Sequence, residues 1–474
     1  MAAVSRSSLV NFFVYNTDYG WKEGTEDEKI MLYIPQEENE DVKIKRVGLC
    51  EALVQFSKTF NPSKPCECLH TQKTKQFFLN PEGNYWIVLT ISVPSTEKLV
   101  KDKKVHDYLP EDVQEPVVET VLLQAYKMFV LFNGVFEYIV QKYSLKAFKE
   151  RLEFFYTRYL QTLNFGQLDI LDIYQGISYL PLDKSTFLKV QCFSNLIDTT
   201  FKSVKQSCFL YDDQLLWTTL EDKDMRILYK YLSTSLFPTS HEAELSDKST
   251  PSKSSSKSSS GSPSTSSLVN AVSSNPGRFL TAPAEMATGS YNMPKRSPRV
   301  FVDVENDTHE LHLIVYKAFN AVVCLMLELT ALSRELCIKL HNFIGPQLGN
   351  LSNILTEQVA KRQPVTSDQQ YRFIYFNDMN LAIKSSIHAK RSSQISVSTE
   401  IMRLLVDIHG DFDLLKQGGE IAAKNSAECW IVGKRSGNRE FFVILNQKNL
   451  SLIEINDEVK RLMATSFSNI LFLE

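Results

Sequence analysis

Leu9-Val-Asn-Phe-Phe-Val-Tyr15, a Gly-rich and acidic connection, Ile30-Met-Leu-Tyr-Ile34 and then a stretch of helical spacing from Val42 to Phe60 open the chain, and this order sets the fold. The two β-branched and aromatic runs predict a strand hairpin. Apolar residues recurring at three- and four-residue intervals predict the helix behind it. Phe77-Phe-Leu79 and Tyr85 to Val93 read as further strands, and Val113 to Leu163 is helical with a break near Gly134.

The same succession restarts twice. Ser207 to Tyr211 and Gln214 to Trp217 flank Asp212-Asp213 as a second hairpin, followed by a helix from Asp224 to Leu236 behind an acidic first turn. Strands at Val300–Val304, Leu311–Tyr316 and Val322–Leu327 come next, then a helix from Ser333 to Val359. The third copy begins at Tyr371-Arg-Phe-Ile-Tyr-Phe376, turns at Asn377-Asp378 and continues through Leu381–Ile387 and a helix from Ser398 to Phe412. Two late strands, Glu428–Gly433 and Glu440–Leu445, are joined by Lys434–Arg439, a loop chemistry suited to a hairpin. A helix from Asn456 to Thr465 and the apolar Ile470–Leu473 close the pattern. These repeats predict an α+β protein of three domains, 8–165, 166–365 and 366–474, each with strands on one side and helices on the other.

Composition agrees with packed domains. Of 474 residues, 43% are hydrophobic and 23% charged, close to the globular average. The exception runs from Thr239 to Pro298, where Lys248-Ser-Thr-Pro-Ser-Lys-Ser-Ser-Ser-Lys257 is low-complexity and few apolar residues follow before Val300. Such a segment cannot offset its ordering entropy by burial, so it is expected to be a disordered insertion within the second domain. A net charge of -3 gives no basic stripe for nucleic acid. The eight cysteines lack framework spacing, and Met-Ala-Ala-Val-Ser-Arg lacks the pattern of a secretory leader, so a reducing, cytosolic context is expected. The most apolar stretch, Ala318–Leu332, is interrupted by Asn320 and Glu328 and is too short to span a bilayer.

Catalytic motifs fail on spacing. No phosphate-binding Gly-x-x-x-x-Gly-Lys-Ser/Thr is present. His309-Glu-Leu-His312 lacks the two intervening residues of a zinc-protease helix, and on a strand its histidines point to opposite faces. Ser178, in Gly176-Ile-Ser-Tyr-Leu180, lacks the second Gly of a nucleophile elbow. Cys66-x-Cys68-x-His70 offers three soft ligands, but no second pair of matching spacing accompanies it, so free thiols are the simpler reading and no metal or cofactor is expected.

The Val42–Phe60 helix divides into two groups at about 100° per residue. Val47, Leu49, Cys50, Leu53, Val54, Phe56 and Phe60 fall on a broad apolar arc expected to cover a sheet. Opposite lie Gly48, Ala52, Gln55 and Thr59, small or uncharged, with Glu51 beside them. This stripe is either a weakly polar solvated face or a place where another backbone approaches closely.

Val47-Gly-Leu-Cys-Glu-Ala-Leu-Val-Gln-Phe56, Phe60-Asn-Pro-Ser-Lys-Pro65, Leu69-His-Thr-Gln-Lys73 and Asp224-Met-Arg-Ile-Leu-Tyr-Lys-Tyr-Leu232 resemble the Ccz-type vacuolar fusion proteins. Glu310–Ala318, Phe373–Asn377 and Val443–Lys448 do so too, so the resemblance spans nearly the whole chain. It implies three longin-type domains and no side-chain catalysis. It further implies a Mon-type longin subunit as partner, a Rab-seven-type GTPase activated by the pair at late endosomal or vacuolar membranes, and a third regulatory subunit in animals. Recruitment to phosphoinositide-bearing membranes is also implied. By the same resemblance Gly48, Glu51, Ala52 and Gln55 are the expected contacts with the GTPase or the partner. An adaptor or tethering scaffold is the alternative that the sequence leaves open.

Overall fold

The computed structural model describes residues 5–100, 103–241, 277–283, 295–305, 307–361, 371–389, 396–415, 418–446 and 450–466. Two compact units result: Met1–Gly176 together with Thr366–Glu474, and Ile177–Val365.

In the first unit, β1 (Leu9–Asn16), β2 (Ile30–Ile34), β3 (Cys68–His70), β4 (Thr74–Glu82) and β5 (Tyr85–Ser92) form an antiparallel sheet ordered β2-β1-β5-β4-β3. Helix α1 (Glu40–Phe60) starts where the Asn39 side chain accepts the Asp41 N–H at 2.9 Å. Val47, Cys50 and Val54 on this helix pack on Phe13, Tyr15, Phe78, Trp86 and Val88. The alternate strand residues Phe12, Val14, Phe77, Ile87 and Leu89 face the opposite way, into α2 (Glu115–Asn133), α3 (Phe136–Lys142) and α4 (Leu145–Thr162). Gly134, at φ 83°, ends α2, which is the break expected there. Helices therefore lie on both faces of this sheet, not on one. The reason is in β1 itself, whose residues 11–16 are all buried, so both of its faces require a cover. A separate hairpin of β6 (Ser95–Val100) and β7 (Lys103–Tyr108) and a short helix, α5 (Ile170–Tyr174), complete this part.

The second unit holds α6 (Lys184–Thr200), β8 (Val204–Tyr211), β9 (Gln214–Thr218), α7 (Asp222–Tyr231), β10 (Gly277–Ala282), β11 (Lys295–Arg296), β12 (Arg299–Val304), β13 (Asp307–Ala318), β14 (Ala321–Glu328) and α8 (Arg334–Lys361). Its sheet runs β11-β10-β13-β14-β8-β9, with β12 also on β13. Val190, Phe193 and Ile197 of α6 and Leu340, Ile344 and Leu348 of α8 bury one face of it. Asp212 and Asp213 turn the β8–β9 hairpin at φ 47° and 60°, the left-handed conformation that Asp tolerates. The expectation of an unstructured 239–298 is too wide. Gly277–Ala282 pairs antiparallel with β13, and the Phe279 ring meets Tyr316 edge-on at 4.9 Å. Averaged composition hid this short apolar strand among Ser and Pro neighbours; residues 242–276 and 284–294 lie outside the described set.

Two histidines should make this unit sensitive to acid. Burial, and next Arg299, hold His312 below its ordinary value, and burial does the same for His341, whose Nδ1 is 2.9 Å from the Tyr316 hydroxyl. With folded values below the unfolded one, the unfolded chain binds more protons, so this stability is complete above pH 6.5 and is lost as pH falls through the folded values. The thermal midpoint of the unit should drop between pH 7 and 5, and His312→Gln with His341→Gln should flatten that drop.

The third sheet, in the first unit, is β16-β15-β19-β18-β17, built from β15 (Tyr371–Asn377), β16 (Ala382–Ser385), β17 (Gly419–Lys424), β18 (Trp430–Ser436) and β19 (Arg439–Leu445). Phe373, Tyr375, Val432, Phe441 and Val443 meet Ile455, Val459 and Leu462 of α10 (Leu452–Ser466). The opposite face carries α9 (Thr399–Asp411), and again the sheet lies between helices. Ile470–Leu473 lies outside the described residues. Gly433 sets how closely α9 approaches. A Cβ there would stand 2.5 Å from Ile408 Cγ2 and 3.0 Å from Phe412 Cζ. Gly433→Ala should destabilise this sheet by about 1–3 kcal/mol through overpacking, measurable by chemical denaturation.

Candidate functional site

Helix α1 presents a face to solvent that its sequence did not lead one to expect. The sheet takes Lys43, Val47, Cys50 and Val54. Leu49, Phe56 and Phe60, expected on the sheet, are instead 58%, 63% and 75% exposed. At about 100° per residue they lie within roughly 40° of one another, next to Ala52 and opposite Val47 and Val54. A helix resting on a sheet buries only a stripe of about 100°, and the arc counted in the sequence spans nearly twice that. Its far edge therefore reaches solvent. The Phe56 and Phe60 rings meet edge-on at 5.0 Å, leaving a coherent aromatic knob at the C-terminal end of the helix.

Gly48, Ala52 and Gln55 are exposed as well; Ala52 adjoins the large apolar residues, while Gly48 and Gln55 lie roughly 100–120° round the helix from Leu49, so the small stripe flanks the apolar patch. Glu51 sits at the flank and is half-buried. Its carboxylate accepts a 2.7 Å ion pair from Lys29, which leaves it committed within the fold. Farther along, the Glu38 carboxylate accepts from Arg46 at 2.6 Å, and Arg46 also donates to the Tyr33 hydroxyl at 2.8 Å. Charges thus border the helix on its sheet side, and Lys45 stands on the outward face one turn before Leu49, while the C-terminal half of that face is dominated by Leu49, Phe56 and Phe60.

The edge of the sheet adjoins the helix. The Ser57 hydroxyl accepts the Cys66 N–H at 2.8 Å and tethers the chain that enters β3. Among the described residues β3 has a strand partner only in β4, and on its outer edge the Cys68 carbonyl accepts from the Cys66 thiol at 3.3 Å. An apolar helix face beside a strand edge can hold a partner; it offers no nucleophile, base or phosphate cradle. Burial pushes the Cys50 thiol beneath it up to about 12, so that group is inert.

His309, His312 and Ser178 have structural roles. His309 is exposed and His312 half-buried; they pair across β12–β13 with Val302 and Arg299. The Ser178 N–H donates to the Tyr229 hydroxyl at 3.3 Å, and its own hydroxyl accepts from Gln214 at 3.2 Å. Cys66 packs toward the α1 side of the sheet and Cys68 toward the α2 side.

Comparison with known proteins agrees with the architecture. Residues 9–134 match the family described as First Longin domain of INTU, CCZ1 and HPS4. Residues 204–345 match Intu longin-like domain 2, and residues 367–462 match Intu longin-like domain 3. The chain is 50% identical over 476 residues to the Vacuolar fusion protein CCZ1 homolog of Nematostella vectensis, covering 100% of both. It is 44% identical over 474 residues to the protein of that name in Xenopus tropicalis, covering 98% of each. For the Dictyostelium discoideum protein of that name the identity is 32% over 478 residues, with 99% of each covered.

Proposed function

Because the chain belongs to the CCZ1 family of vacuolar fusion proteins and carries three longin-type domains, we propose that it is a non-catalytic subunit of a guanine-nucleotide exchange factor acting in vacuolar or late endosomal fusion. Its partner in this reading is a Mon-type longin subunit, and its client a Rab-seven-type GTPase. The observation that carries the proposal is the outward face of α1, with Leu49, Ala52, Phe56 and Phe60 exposed on a well-packed domain. A patch of that kind on a folded domain calls for a protein partner. Gly48, Ala52 and Gln55 are the positions through which that partner, or the GTPase, approaches the helix backbone. A third regulatory subunit and a phosphoinositide-bearing membrane surface complete the proposed assembly. No helix among the described residues is long and apolar enough to cross a membrane, so in this reading membrane contact is peripheral.

The mechanism is one of binding. An exchange factor that prefers the nucleotide-free GTPase must, by reciprocity, weaken the hold on nucleotide. Each tenfold in release rate requires about 1.4 kcal/mol of barrier reduction, well within what a standard-sized interface supplies. The test is release of a fluorescent guanine nucleotide from the GTPase by this chain, by the Mon-type subunit and by the copurified pair. Acceleration by the pair alone supports a composite exchange surface. A stable pair that leaves release unchanged refutes exchange and points to an adaptor.

A further inference from the structure

We propose that Cys68, His70 and Glu115 form a binding site for a divalent transition-metal ion, with zinc as the ion their chemistry fits. The site is independent of the exchange function. Cys68 and His70 are two residues apart on β3 and so project from the same face of the strand. That face looks toward α2, whose first residue is Glu115. The missing ligand that sequence spacing could not supply comes from a helix about 45 residues away, brought in by the fold. One ligand atom from each residue lies within 4.8 Å of the other two, and His70 Nε2 is already 3.2 Å from Glu115 Oε1. Tetrahedral zinc holds its ligand atoms roughly 3.3–3.8 Å apart, so closing the site asks for shifts of about 1 Å.

Sulfur, imidazole and carboxylate together select zinc over magnesium or calcium, which prefer all-oxygen sites. Three protein ligands leave a fourth position for water or for a group from a bound partner. The surroundings favour a cation on balance: Glu119 and Glu67 add negative charge to that of Glu115, against Lys64 and Lys75. Lys75 is the competitor. Its buried ammonium donates to Glu115 Oε1 at 3.0 Å and to the Val113 carbonyl at 2.9 Å. Burial, and next Glu115, push the Cys68 thiol up to about 12 in the metal-free chain, so the ion must displace that proton to solvent as it binds, and it would share the Glu115 carboxylate with Lys75.

Cobalt(II) reports such a site directly. The purified full-length chain, stripped with chelator and titrated with cobalt, should develop a thiolate-to-metal charge-transfer band at one equivalent, and one equivalent of zinc should abolish it. Cys68→Ser should remove the band with the fold unchanged by circular dichroism. His70→Gln, at a half-exposed position, and Glu115→Gln should weaken binding at least tenfold, and Lys75→Met should tighten it. A folded wild-type chain that gives no band, or a band that survives Cys68→Ser, overturns the site.

Discussion

In the proposed assembly, replacing Leu49 and Phe56 together by Asp should leave the chain folded but abolish its copurification with the proposed Mon-type subunit, raising the dissociation constant at least about a thousandfold. Both side chains are more than half exposed, so the substitutions remove little packing and should change stability by no more than about 0.5 kcal/mol. In a complex the same residues would sit at the centre of a desolvated interface, where large apolar anchors contribute about 2 kcal/mol or more each and where a buried unpaired carboxylate adds a further penalty. Two such losses amount to about 4 kcal/mol, which is three decades in affinity. Accelerated nucleotide release by the pair should vanish in parallel. Ala52→Arg with Gln55→Arg should act in the same direction by blocking close approach. Unaltered copurification and exchange in the Leu49/Phe56 variant would remove α1 from the interface altogether.

The residues at this face show where sequence reading succeeds and where it stops. Elements with strong periodicity, such as β1, β2, α1 and the α2 to α4 run, were legible because each carries its own pattern of buried positions. Gly48, Ala52 and Gln55 were legible as a small-residue stripe for the same reason. The exposure of Leu49, Phe56 and Phe60 was not, because periodicity gives the angle of an apolar arc and not how much of it a neighbour covers. That depends on α1 being, among the described residues, the helix that covers this side of the sheet by itself, a tertiary fact. Short edge strands fall to the same limit: Cys68–His70 is too short to show a period, and the burial of Gly419–Lys424 alternates but through Gly, Ile and Ala against Glu, Ala and Lys, a weak sequence signal. Glu115 could not be linked to Cys68 and His70 from spacing, since their proximity exists only after α2 has packed on the sheet.

The other large effect belongs to a buried carboxylate in the first unit. Glu440 is 6% exposed on β19, and its Oε2 accepts from the Tyr174 hydroxyl at 2.5 Å and lies 2.8 Å from His409 Nδ1, with Arg435 Nε 3.7 Å from its other oxygen. Tyr174 belongs to α5, so this one carboxylate ties a segment that follows the first domain to both the third sheet and α9. The Phe376 ring, 4.5 Å from that of Tyr174, supports the contact, and Gly176 passes so near Ile383 that a Cβ would approach to 2.4 Å. Glu440→Ala removes the acceptor that Tyr174 and His409 share, while Arg435 keeps its 2.9 Å pair with Asp413. A hydrogen bond to a charged acceptor contributes about 1.5–3 kcal/mol, so losing the acceptor that Tyr174 and His409 share should cost about 2–4 kcal/mol. Tyr174→Phe, which removes only a hydrogen bond to a charged acceptor, should cost about 1.5–2 kcal/mol. Global unfolding of a chain with several cores is not two-state, so the proper readout is local. Amide hydrogens of residues 170–175 and of α9 should exchange about thirtyfold to a thousandfold faster in Glu440→Ala, following 1.36 kcal/mol per decade. The double variant should lose less than the sum of the single ones, because the two side chains share one bond. Protection that stays at the wild-type level would mean that apolar contact, chiefly Tyr174 on Phe376, holds α5 in place without the carboxylate.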